Sequence, residues 1–269
     1  MEQLEIVRWG AIVALGIVVA GWRPRVTGVV HWWLSFSMAV SIVAADGGDQ
    51  VAAVRSLLLI PVTLTDSRRW HWLPRSAEVS EGEAYRADIA RSAFWVIRLQ
   101  VAVIYLHAAI GKMSAPNWID GTALYCWLLH PLFGVSYALR PIVEVSLADP
   151  LVVVVFTWGV IVFELLLGTA VLQPRRHWSK WLLLGALFHL WIALNQGLVS
   201  FFFSMVGALV LALRPPERGF GILARTAALL HYALRSGERT EAGLGHRRAA
   251  RAPHQRVAPS LPPDQRGTH

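Results

Sequence analysis

The chain has 269 residues, 55% of them hydrophobic and 16% charged, with a net charge of +8 and a mean hydropathy of +0.47. Soluble domains carry about 25% charged residues; here the shortfall falls in long charge-poor runs, which excludes an ordinary soluble enzyme and points to a polytopic membrane protein. The single cysteine, Cys126, excludes an internal disulfide and a CxxC site, and with them a quinone-linked thiol oxidoreductase; from Arg214 onward ten arginines against four acids carry +6 of the +8, so the basic balance belongs to the tail and gives no reason to expect nucleic-acid binding by a folded domain.

In chain order, the apolar runs predict an all-α fold: a polytopic membrane helix bundle of about seven transmembrane helices plus a re-entrant or interfacial segment. The first span covers residues 4–22 and is read as a retained helix, because no cleavage-site pattern comes after it. The second, 29–45, starts near the paired Trp32 and Trp33, residues suited to an interface, and is broken by Asp46-Gly47-Gly48-Asp49. The third, 51–65, is short and contains Arg55, so it should tilt or pack inside the bundle. A polar loop, 66–84, precedes a long helix over 85–113 whose first half carries Arg86, Asp88, Arg91 and Arg98. The polar loop 114–121 comes next. Residues 125–147 are apolar but interrupted by Pro131, Gly134, Arg140, Pro141 and Glu144, which fits a re-entrant or interfacial pair better than a span. The last three spans are 151–172, 181–194 and 198–213. Residues 1–213 form the transmembrane domain, 214–235 a possible amphipathic inner-surface helix, and 236–269 a disordered basic tail.

The basic loops at 23–25, 66–75, 175–180 and 214 onward alternate along the chain with Arg-poor turns at the N-terminus, 46–49, 112–121 and 195–197. The positive-inside rule then places the N-terminus outside and the C-terminus inside. Three polar turns, carrying Asp46 and Asp49, Lys112 and Asp120, and Asn195, gather on the outer face, where a site could form.

Charges inside spans are costly and face a partner or a cavity. Glu164 and His189 lie at similar depth on the fifth and sixth spans, given the helical rise of about 1.5 Å per residue. They are expected to form an intramembrane polar pair, either a clasp between helices or a proton-handling pair, with Arg98 and Arg55 as other partners for Glu164. Lys112 is one of only two lysines, the other being Lys180. It is either a cation snorkelling to the interface or an amine that can lose its proton when desolvated, which arginine cannot do. His107 precedes it by five residues, on a face rotated well away, and converges with it only through side-chain length. Asp120-Gly121 reads as a turn with Asp120 capping the next segment, and Trp118 as an interface anchor or a lid over Lys112. No HxxxH or HExxH spacing calls for a metal.

Tyr105, Ala108, Ala109, Gly111-Lys112-Met113, Trp118 and Asp120-Gly121-Thr122-Ala123-Leu124 resemble the signature of the HTTM domain, the membrane domain shared with vitamin K-dependent gamma-carboxylases. Asp46-Gly47-Gly48-Asp49, Leu58-Leu59-Ile60-Pro61-Val62 and Leu64-Thr65-Asp66-Ser67-Arg68-Arg69-Trp70-His71-Trp72 are similar to one bacterial branch, the sporulation-delaying protein B family. The resemblance covers about residues 1–213. It implies a multi-pass protein of the cell membrane, accessory to maturation or export of a secreted antimicrobial peptide. Its implied partners are the lipid bilayer, a secreted peptide precursor and an accessory protein, with Trp118, Asp46, Asp49 and Asn195 lining a groove beside Lys112 and Asp120. The alternative is a membrane enzyme related to the carboxylases, with Lys112 as the base and a reduced quinone as cofactor. Two departures weigh against it: only a short basic tail comes after the last span where the carboxylases carry a large domain, and the Asp46–Gln50 region lacks their histidine. A small-molecule or lipid transporter is a further alternative, although neither an inverted repeat nor paired broken helices are found.

Overall fold

A computed structural model describes residues 2–41, 46–73, 81–131 and 133–214. Among them the chain is all-helical, with no strands. The expectations for the segments beyond Arg214, the surface helix and the basic tail, lie outside the described residues.

Four long helices open the chain: α1 (Glu2–Ala20), α2 (Pro24–Ser41), α3 (Gly47–Thr65) and α4 (Glu81–Lys112). Three short ones come next, α5 (Pro116–Ile119), α6 (Ala123–Leu128) and α7 (Arg140–Ser146), and then α8 (Pro150–Thr169), α9 (Trp178–Gln196) and α10 (Val199–Leu213). Among the described residues three helices are long and apolar enough to cross a membrane on those grounds alone, over Gln3–Ala20, Gly82–Lys112 and Pro150–Leu172. Val199–Leu213 is apolar but shorter.

The helix boundaries obey local chemistry. Of the expected break at Asp46–Asp49, Gly47, Gly48 and Asp49 are already the first turn of α3. Asp46 is its N-cap, and the carboxylate accepts from Gly48 N at 2.8 Å and Asp49 N at 3.2 Å, which satisfies donors that a helix start leaves orphaned. Gly48 is needed as glycine because a Cβ there would lie 2.8 Å from the Phe201 backbone at the start of α10. Between α4 and α8, the six- and seven-residue helices α6 and α7 reach only about 10 Å each at 1.5 Å per residue, far short of a hydrocarbon core of about 30 Å. They form a cap with a small core of its own, Leu124, Leu128, Leu147 and Val153. Thr157 of α8 joins the cap to the bundle, its hydroxyl accepting from Leu124 N at 3.1 Å.

Helix α10 is the centre of the bundle and packs against α3, α4 and α9. Met205, Ala208, Leu209, Ala212 and Leu213 form the main core with Val101, Tyr105, Leu167 and Trp178. Small residues on α10 let its neighbours approach, and in a bilayer such close packing, with interhelical hydrogen bonds, drives association. The buried Arg98 and the half-buried Arg55 use the same helix. Arg55 donates to Ser204 O, and Arg98 Nε to Ala212 O at 3.1 Å. Helix α10 thus offers both arginines carbonyl oxygens at their own depth, while Glu164, the carboxylate expected as an optional partner, bonds elsewhere.

At the end opposite Lys112, the turn after α1 is tied to the loop after α3. Arg23 N donates to Arg69 O at 2.7 Å, His71 N to Gly21 O at 2.8 Å, and Trp72 Nε1 to Val19 O at 3.0 Å. Asp66, the C-cap of α3, anchors the loop. It accepts from Arg68 at 2.9 and 2.7 Å and from His71 Nδ1 at 2.7 Å. Burial alone would raise the Asp66 carboxyl, but the hydrogen bonds from His71 and Arg68, with the arginine's charge, hold it well below the usual carboxylate range.

Candidate functional site

A partly open cavity of about 490 Å³ lies between α4, α8 and α9 and is also lined by residues of α3, α5, α6 and α10. Its walls are mostly apolar: Ile104, Leu128, Val160, Trp191, Ile192 and Phe201 are representative. Tyr105, Lys112, Glu164, His189 and Gln196 supply the polarity. A size of 300–1,000 Å³ and a few convergent polar groups are the usual marks of a ligand site.

Helix α4 supplies Tyr105 and Lys112, seven residues apart. Two helical turns bring them back to nearly the same face. Lys112 does not extend away from the bundle. Its Nζ donates to both carboxylate oxygens of Glu164, each at 2.8 Å, and sits 5.3 Å from the centre of the Trp118 ring. The pair is only partly accessible, with the Lys112 side chain 23% exposed and that of Glu164 9%. Glu164 meets the end of α4 because α8 begins well beyond it. The chain between them folds back on the first turns of α8, with Gly121 against Val154 and Leu124 on Thr157. Gly121 has φ +82°, a left-handed conformation in which a Cβ would also lie 2.9 Å from Val154.

His189 is 2% exposed, ringed by Phe188, Phe201 and Tyr105. Tyr105 Oη lies 2.7 Å from its Nε2. Nδ1 is buried without a hydrogen-bond partner among the described residues. A buried donor or acceptor left unmet costs about 1–3 kcal/mol. The hydrogen bond expected between Glu164 and His189 is thus replaced by two others, Glu164 to Lys112 and His189 to Tyr105. Depth along α8 and α9, counted from the turn that joins them, says nothing of α4. Lys112 starts at the mouth of that helix, and its side chain is long enough to reach inward.

The other expected residues divide. Trp118 lines the cavity as a cover over Lys112. Asp46 is a capping group, and its second oxygen accepts from Ser200 Oγ at 2.9 Å, which ties α3 to α10. Asp120 is fully exposed and outside the cavity. Its carboxylate accepts from Thr122 Oγ1 at 2.6 Å and Thr122 N at 2.9 Å, and these bonds lower its pKa. His107 is exposed on another face of α4. Asn195 donates to Trp191 O at 2.8 Å and is not a lining residue; its neighbour Gln196 is. Asp49 does not line the cavity either. Sequence reasoning passed over Tyr105 and Gln196 as polar groups of the site. The signal for both was helical spacing, 105 with 112 and 189 with 196.

No three His, Cys, Asp or Glu side chains are grouped to hold a metal among the described residues. What the fold and the cavity define is a helical membrane protein with a partly buried ion pair and a Tyr–His pair at one apolar site. The HTTM domain family model matches residues 61–215. Relatives in Bacillus subtilis (strain 168) include Uncharacterized protein YitO, 39% identical over 214 residues, which are 79% of this chain and 68% of that protein. Sporulation-delaying protein SdpB is 37% identical over 221 residues, 80% of this chain and 66% of that protein. The chain belongs to the HTTM domain family and is a membrane protein of its SdpB-like branch. No solved structure matches it.

Proposed function

We propose that this protein works in the maturation of a secreted antimicrobial peptide, at the cavity that holds Lys112 and Glu164. The observation that carries the reading is convergence: Tyr105 and Lys112 from α4, Glu164 from α8 and His189 from α9 meet at one otherwise apolar cavity. Polar groups placed there are costly, and in membrane proteins such paired groups mark functional sites. The context comes from similarity to a relative named for delaying sporulation. In the same reading α1–α4 and α8–α10 make seven crossings of the cell membrane, with the cavity, the N-terminus and the α5–α7 cap on the outer side. The basic residues flanking the other helix ends support that orientation.

Lys112 acts here as a fixed cation. As the ammonium partner of the Glu164 carboxylate, with each oxygen at 2.8 Å, it has no lone pair with which to take a proton. The reduced quinone that the carboxylase resemblance would bring therefore does not fit the site as built, and no step is derived through it.

The test is secretion of active peptide by cells carrying variants, normalised to the amount of protein in the membrane. Lys112→Arg keeps the charge and is expected to support maturation. The neutral combination Lys112→Met with Glu164→Gln keeps the volume but removes the ion pair, and is expected to abolish it. Wild-type peptide output from that combination would sink the reading.

A further inference from the structure

Arg55 is a cation whose hydrogen bonding is only begun. It stands ninth among the 19 residues of α3, and its Nη1 donates to the carbonyl of Ser204, sixth among the 15 of α10. Both positions are near mid-helix, so the guanidinium is held well inside the span. Gly207 makes the room, because a Cβ there would lie 2.6 Å from Nη1. Among the described residues Arg55 forms no ion pair, and its Nε and Nη2 have no hydrogen-bond partner. These two nitrogens are not sealed in. The one buried side-chain nitrogen or oxygen without a partner among the described residues is His189 Nδ1, so Nε and Nη2 of Arg55 keep accessible surface.

The packing of α3 shows where they open. Helix α2 rests on α3 through Gly28 against Thr63, and α10 does so through Phe201 and Gly207 against Gly48 and Arg55. Thr63 and Arg55 are about 80° apart around α3 at 3.6 residues per turn. Arg55 therefore stands in the furrow between α2 and α10. His31 of α2 lies within electrostatic range of it and has no hydrogen-bond partner among the described residues. Phe203, one turn before Gly207 on the same face of α10, is 67% exposed.

The open groups select an occupant. Nε–H and the adjacent Nη2–H are the parallel donors with which arginine grips an oxyanion through two hydrogen bonds. A charge at this depth is costly without a partner, so the missing group is an anion. Lipid phosphates lie outside a hydrocarbon core of about 30 Å, thus about 15 Å from its middle, and the bond to Ser204 keeps Arg55 from stretching to them. Of the carboxylates in the described spans, Glu164 is the one set well inside, and Lys112 holds it. A second copy of this chain therefore brings none. A carboxylate on a membrane helix of a different protein comes at the right depth and needs a cation for the same reason.

We infer that the furrow between α2 and α10 docks a membrane helix of another protein that carries a carboxylate at mid-depth, gripped by Arg55 beside His31. The inference uses the crossings of α3 and α10 from the proposed function, but neither the cavity nor the peptide.

The test uses the full chain in phosphatidylcholine proteoliposomes and a defined probe. The probe is a lysine-flanked helix of about nineteen leucines with one central Glu, dansylated at one end and read by energy transfer from the protein's tryptophans. Transfer is expected to exceed that from the all-leucine helix and to saturate. The unlabelled Glu helix should compete, and the all-leucine helix should not. Arg55→Gln should weaken the association about tenfold. Two further readouts need only the wild-type chain, so they hold even where that variant does not fold. Moving the probe's Glu by ~10 Å toward either end should remove the advantage, and adding phosphatidylglycerol should leave it intact. Equal transfer from the Glu and all-leucine helices would overturn the inference, as would an advantage that ignores the position of the Glu or survives Arg55→Gln. Loss of the advantage in phosphatidylglycerol would give Arg55 to a lipid phosphate, and self-association of the chain that the Glu helix reverses would give it to a second copy; either overturns the inference. The two readings fail separately: normal maturation in the neutral Lys112–Glu164 combination leaves this one standing, and a probe that does not bind leaves the functional reading standing.

Discussion

Two clusters in this molecule use the same ingredients, a carboxylate, a cation and a histidine, and put them to different ends. Asp66, Arg68 and His71 lie within six residues of each other on a loop, and Arg68 also donates to Leu73 O. Every hydrogen bond named there closes within the loop, and backbone bonds tie the loop to the turn after α1. The His71 side chain is about half exposed, at 47%, so water can complete its needs. Lys112, Glu164, Tyr105 and His189 come from three helices, with a buried nitrogen left over. The first cluster is complete and holds a loop. The second is incomplete and faces a cavity. Completeness of the hydrogen bonding, and not residue type, separates a clasp from a site.

The comparison can be tested by removing one member from each cluster. The largest loss is expected from Lys112→Ala, which strands a mostly buried carboxylate and should cost about 3 kcal/mol, the low end for a broken buried pair because Lys112 is partly exposed. Adding Glu164→Gln should recover most of it. Reversible unfolding in mixed micelles with both single variants and the double variant would measure this coupling, and simple additivity would mean that the pair is not closed in the membrane.

Asp66→Asn comes next. It weakens charge-assisted hydrogen bonds to Arg68 and His71, with an expected loss of about 2 kcal/mol. The sign of its pH dependence is set by the lowered Asp66 carboxyl. A group whose folded pKa lies below its unfolded value contributes stability that is fully present above the unfolded value, about 3.9, and is lost as pH falls through the folded one. Wild-type stability should thus be insensitive to this group from about pH 5 to 8 and fall below about pH 4. The Asn variant should lose less across the acid range. Parallel acid-unfolding curves for the two proteins would contradict the clasp.

The smallest effect is expected for Tyr105→Phe, about 1 kcal/mol for one lost hydrogen bond. It should also free the His189 ring to exchange tautomers. Nitrogen spectra of labelled histidine would show this as a change from one dominant tautomer to a mixture. An unchanged spectrum would mean that the packing of Phe188 and Phe201 alone fixes the ring.

Much of this is legible in the chain before any fold is known. The long apolar runs, the breaks at Arg23-Pro24 and Pro174, and the asymmetry of basic residues announce an all-helical membrane protein. The Gly111-Lys112-Met113 and Asp120-Gly121-Thr122 texts mark the family. These are local signals: a run of apolar residues makes a helix wherever it lies in lipid, because the backbone must satisfy itself there. Asp120 is legible as a turn residue for the same reason, since its partner, Thr122, is two residues away. Asp46 shows the limit. Its capping role is hidden when the turn is read as Asp46–Asp49, because Gly47, Gly48 and Asp49 already belong to α3.

Pairing across helices is not local. From sequence, Glu164 is paired with His189, with Arg55 and Arg98 as alternatives, and Lys112, its partner in the structure, is not among them. The choice depends on how far α8 rises past the end of α4 and on α10 supplying the arginines with carbonyl oxygens of its own. The sequence by itself determined which segments are helical and which residues are too polar to face lipid. Only the tertiary structure decided which of those residues meet, because side-chain reach is a few ångströms while the relative height of two helices is set by the cap of α5–α7 and by the packing of α10 against its neighbours.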